Sequence, residues 1–152
     1  MTKVNLDKLQ AKSNGNIESV VGTVSLNNGA LVALGTAVAG ERELVNAVAP
    51  TDTAELLLVA APEVKPNQSL DQLDYATPAG KAVRAYHLTE GDKFQVEQSL
   101  FDAVPNEGDV VTGNATYGYK VNADSRTTFV VERLTKFGYD QRPMALLRVL
   151  TV

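Results

Sequence analysis

Apolar and polar residues alternate along the chain in short runs separated by turn-forming clusters, a pattern that predicts strands instead of long helices. "IESVVGTVSL", Ile17 to Leu26, is rich in β-branched residues, and "NNG" at Asn27 to Gly29 supplies residues that tolerate positive φ ahead of "ALVALG". A hairpin is therefore expected over Ile17 to Leu34. "ELVNAVA" alternates with period two from Leu44, whereas "AELLLVAAP", Ala54 to Pro62, is a continuous apolar run. Such a run fits a strand buried on both faces, and period alone also admits a short helix. "KAVRAYHL" and "KFQVEQSLF" flank "TEGD" at Thr89 to Asp92, where Gly91 suits the left-handed turn position; this is the clearest hairpin signal of the sequence. In "ATYGYKV" a two-residue repeat places Tyr117, Tyr119 and Val121 on one face. "RTTFVVERL" and "MALLRVLTV" complete about nine candidate strands, with turn signals roughly every 8 to 15 residues. The expected class is all-β, a compact sandwich or barrel-like domain.

Two segments interrupt this rhythm. Residues 1–16 form a polar N-terminal arm ending in "SNGN"; within it "VNLDKLQAK" carries Leu6 and Leu9 at helical spacing and reads as a short helix or an extended arm. Residues 17–152 form the β-rich domain. Inside it, Pro62 to Lys81 is about as long as a whole hairpin yet holds three of the six prolines. Loops of that length in compact domains are usually functional or disordered.

A chain of 152 residues fits one domain with a sizeable core, and it contains no cysteine, which removes disulfides, thiolate metal sites and thiol nucleophiles. The N-terminus has no apolar core of the signal-peptide kind, and no segment approaches the roughly 20 apolar residues of a membrane span. A soluble protein made in a cytoplasm, with no membrane partner, is expected. Net charge is −4 with both signs interspersed, and there is no tryptophan. Without clustered cations and neighbouring aromatics, nucleic acid is not an expected partner.

Candidate chemistry is sparse. His87 is the only histidine, so no His-based metal site, His–Asp pair or two-histidine relay is expected within one chain, and it reads as a structural or surface residue. No serine sits in a Gly-x-Ser-x-Gly elbow. Asp71, Asp74, Glu90, Asp92, Glu107 and Asp109 sit near turns, where acids commonly satisfy backbone amides; a glycosidase-like pair among them is formally open. "GTAVAGE" lacks the Lys and Ser/Thr of a phosphate loop and reads as a turn. No catalytic, cofactor or metal-binding residue is assigned, and no cofactor is expected.

The densest mixed cluster is "KFGYDQRPMALLRV", Lys136 to Val149. Gly138 can bend the chain, Pro143 ends backbone donation before the last strand, and an Arg142–Asp140 ion pair can fix the corner. Tyr139, Asp140, Gln141 and Arg142 can equally form a contact patch, since Tyr and Arg are enriched at binding hot spots. Leu6 and Leu9 of the arm and Tyr75 of the long loop complete the candidate contact residues.

The succession "GNIESVVGTVSLNNGALVALG", "GERELVNAVAPTDTAELLLVAAPEV", "AGKAVRAYHLTEGDKFQVE" and "TKFGYDQRPMALLRVL" resembles tailed-bacteriophage head decoration proteins, also called capsid cement or auxiliary proteins. The resemblance covers most of the chain after the arm. It implies a non-enzymatic, β-rich virion protein that sits on the outer capsid surface, bridges neighbouring major capsid subunits and resists internal DNA pressure. Members often assemble with copies of themselves as trimers near local threefold positions, while some bind singly or in other groupings. The family pattern has no invariant reactive residues, so it fixes no interface residue by residue. Two other classes remain open: a carbohydrate-binding β-module of a phage tail or adhesin, which calls for aromatic platforms, and a small hydrolase, which calls for convergent acids in a cleft.

Overall fold

The computed structural model describes residues 4–61, 76–137 and 141–152. Thirteen strands appear among these residues, and the all-β expectation holds: β1 (Val4–Lys8), β2 (Ile17–Val21), β3 (Leu26–Asn27), β4 (Leu31–Ala37), β5 (Leu44–Val48), β6 (Leu57–Val59), β7 (Ala76–Thr77), β8 (Ala82–Tyr86), β9 (Lys93–Glu97), β10 (Val110–Gly113), β11 (Tyr119–Val121), β12 (Thr128–Phe137) and β13 (Arg142–Thr151). They form a closed barrel, β2-β5-β4-β6-β8, a six-stranded antiparallel sheet, β1-β9-β13-β12-β10-β11, and a short β3-β7 ladder. The barrel closes through the parallel β2–β5 pair, a connection that needs intervening chain and obtains it from β3 and β4.

The apolar run "AELLLVAAP" shows how the two parts share residues. Leu57 and Val59 enter the barrel's interior cluster with Val20, Val32, Val83 and Ala85. Leu56, Leu58 and Ala60 point the other way, into the larger cluster with Phe94, Val96, Phe129, Val131, Ala145 and Leu147 of the sheet. A strand with period two and both faces apolar must be buried on both sides, as expected for this run. Tyr119 lies in the same larger cluster, stacked on Phe101 at 4.9 Å and donating its hydroxyl to the Gly29 carbonyl at 2.8 Å.

Two hairpins expected from the sequence are absent. β2 pairs with β5 and β8, and β4 pairs with β5 and β6, so Ile17 to Leu34 is not a hairpin. Barrel closure takes both edges of β2, and the positive φ of Gly29 serves a bend under Val96 and Leu100 instead. The "TEGD" turn forms, with Gly91 at φ 88 and the Asp92 amide donating to the Thr89 carbonyl. Yet it passes the chain from barrel strand β8 to sheet strand β9, because its ends bind elsewhere: Gly91 donates to the Val149 carbonyl, and Asp92 accepts from the Val149 amide.

The N-terminal segment also departs from expectation. Val4–Lys8 is an edge strand on β9, followed by one helical turn, Ala11–Asn14. Leu9 is only 4% exposed and joins Ala11 in the larger cluster, with Leu6 packed against it. Residues 4–14 are therefore part of the folded body, and Leu9 has little surface to offer a partner. Tyr117, Tyr119 and Val121 do not share a face, since the strand begins only at Tyr119; Tyr117 sits in the preceding turn at φ 63 and Val121 is exposed at the edge.

Candidate interaction surface

β12 and β13 pair along their whole length down to Phe137 and Arg142, so "KFGYDQRPMALLRV" is the end of a hairpin, as the corner reading requires. Gln141 occupies the left-handed region at φ 54. Pro143 lies within β13 opposite Lys136, one residue inside the strand and not ahead of it. The Arg142 guanidinium approaches Glu97 at 3.4 Å, with both side chains mostly buried, and Gln98 donates to the Met144 carbonyl beside them. The corner is thus fixed to β9. Tyr139 and Asp140 lie outside the described residues, as do Tyr75, Asp71, Asp74 and most of the proline-rich loop; of the proposed contact patch, Gln141 and Arg142 are placed together.

The six-stranded sheet buries one face on the barrel; the other is covered at the Met144, Glu97 and Arg142 end and open toward Arg133 and Arg148. On the open face Lys93 of β9 lies directly across from Arg148 of β13, and Glu132 of β12 accepts from both, at 3.0 and 3.3 Å. Thr135 donates to Gln95 at 3.4 Å in the next row. Beside them is a shallow hollow of about 220 Å³ lined by Asn5, Lys8, Lys93, Gln95 and Leu146. β1 ends the sheet there; among the described residues its outer side has no strand partner. Local chemistry explains why β1 stays short: its register shifts between Asn5 and Lys8, a bulge that limits further pairing.

Acids near turns serve the backbone. Asp92 is buried and accepts from the amides of Thr89 and Gln10, Asp109 accepts from Asn106, and Glu107 from Leu134. Asn114 organises the β10–β11 turn: its Oδ1 accepts from the amides of Thr116 and Gly118, and its Nδ2 donates to Asp102 and to the Tyr119 carbonyl.

His87 takes a structural position. It is held between two carboxylates, Nδ1 at 3.1 Å from Glu55 and Nε2 at 3.2 Å from Glu18, while Glu55 also faces Arg126 at 3.9 Å. Burial opposes the imidazolium, but hydrogen bonds and charge from Glu55 and Glu18 prevail and raise its pKa above the ordinary 6.5. Both ring nitrogens are engaged, so the residue ties the end of β8 to β2 and to the segment before β6, within the barrel, and has no nitrogen left for a substrate. Nearby, Lys120 and Ser125 hydrogen-bond Asp52 and lower its pKa. The His87 cluster escaped sequence reading because Glu18 and Glu55 lie 69 and 32 residues away, brought close only by strand order. The open-face cations were hidden likewise.

Comparison with protein-family models, with curated proteins and with solved structures finds no match to this chain.

Proposed function

We propose that this protein is a structural virion protein that binds the outside of a phage capsid and stabilises the shell by bridging neighbouring major capsid subunits. The observation that carries this reading is the edge of β1, which has no strand partner among the described residues, since a strand edge offers a neighbour the hydrogen bonds a sheet uses internally. The resemblance to head decoration proteins supports it, and so does the place of the resembling residues in the fold. Asn28 binds the backbone of Ala61, Tyr86 and Leu88 are core, and Gly91–Asp92 forms the crossing between barrel and sheet. They build a scaffold, consistent with a role exercised through surface and not through bond-making. Repetition on a lattice multiplies modest contacts, so each copy needs only about 800 Å² per partner. Neighbouring copies, grouped as trimers or otherwise, supply part of that area.

Purified protein mixed with expanded capsids should bind at a fixed copy number and raise their melting temperature. Failure to bind mature shells at micromolar concentration overturns the reading.

A further inference from the structure

Antiparallel register lines up Lys8 of β1, Lys93 of β9 and Arg148 of β13 as direct cross-strand neighbours on the open face. Like charges so placed destabilise a sheet. In the next row Asn5, Gln95, Leu146 and Arg133 are aligned in the same way, so Arg133 adds a fourth cation. Among the described residues Glu132 is the one acid that pairs with them, and it is already shared by Lys93 and Arg148. Lys8 and Arg133 are exposed and make no ion pair among the described residues. In a chain of net charge −4, this face collects an excess of positive charge among the described residues, beside the β1 edge that has no strand partner among them.

We infer that β1 captures an extended acidic segment of a partner protein, which adds as a seventh strand and sets alternate carboxylates beside Lys8 and the hollow lined by Lys93 and Gln95. Backbone pairing supplies the binding and the cation row the selectivity, because a strand added to β1 presents every second side chain to this face. The backbone edge favours peptide over nucleic acid, which has no strand hydrogen bonds to exchange with it. That the segment belongs to the capsid rests on the reading above; the chemistry of the edge does not.

The test uses fluorescence anisotropy with the full chain and a labelled, blocked hexapeptide alternating Glu and Val. Comparison probes are its Gln–Val counterpart, the Glu–Val peptide N-methylated on alternate residues, and an oligothymidylate. The acidic peptide should bind, about tenfold more weakly to Lys8→Glu and to Arg133→Glu, and more weakly at high salt. The Gln and N-methylated peptides should bind at least fivefold more weakly. Equal binding of the Glu and Gln peptides, no binding at millimolar peptide, or preference for the oligonucleotide overturns the inference. Capsid binding separates the two proposals: shells that hold Lys8→Glu as tightly as the unchanged protein defeat this inference alone. Capture of the acidic peptide by a protein that ignores shells upholds it while defeating the capsid reading.

Discussion

His87 makes stability depend on pH. Its folded-state pKa lies above 6.5, because hydrogen bonds to Glu55 and Glu18 and their charges outweigh the opposing cost of burial. A group raised on folding contributes stability that is fully present below its unfolded pKa and is lost as pH rises through the folded value. The groups facing it are Glu18 from β2 and Glu55 from the segment before β6, with Arg126 acting through Glu55. Between pH 6 and pH 8 the unchanged protein should lose melting temperature relative to His87→Gln, which lacks the titrating ring. Parallel melting curves for the two across that window would refute this. Asn114 is the second critical residue. Asn114→Ala leaves the turn amides of Thr116 and Gly118 without their acceptor and should cost about 2–4 kcal/mol in urea denaturation.

At the scale of elements, the N-terminal segment carries the clearest consequence. Leu9 and Ala11 fill the larger cluster and β1 covers β9, so removal of residues 1–16 should destabilise the fold by at least the cost of one buried leucine, about 2–5 kcal/mol. Thermal denaturation checks this; an unshifted midpoint would make the segment a dispensable arm, as its polar composition had suggested. The contrast shows what was legible. "AELLLVAAP" announced a two-faced buried strand because burial on both sides leaves no polar position, and β12–β13 were readable as adjacent strands joined by a short corner. Period two assigns faces, however, not partners. Nothing local says that β2 pairs with β8 some 65 residues away, or that "TEGD" crosses between sheets instead of closing a hairpin. The same limit hid the site: nothing local to Lys8, Lys93, Arg133 or Arg148 says that strand order sets them in neighbouring rows.

At the scale of the whole molecule, barrel and sheet have separate hydrogen-bond ladders, and the barrel has an interior cluster of its own, but the larger core is shared. The larger cluster draws Leu31, Ala33, Leu58 and Tyr86 from the barrel and Phe94, Phe129, Val131 and Leu147 from the sheet, so opening either part exposes apolar surface of the other. Unfolding should therefore be a single cooperative transition. Two buried amides report on the halves independently: Val59, which donates to the Ala30 carbonyl in the barrel, and Val131, which donates to the Asp109 carbonyl in the sheet. Hydrogen exchange should give both the same opening free energy, equal to that of global unfolding. Leu58→Ala, a cavity at the shared boundary, should lower both by the same amount, about 2–5 kcal/mol. A loss confined to Val59, with Val131 still protected, would mean that the barrel opens while the sheet stays folded. The proposed role as a brace on a shell requires the opposite, because load taken up at β1 would have to pass through the sheet and into the barrel without a weak plane between them.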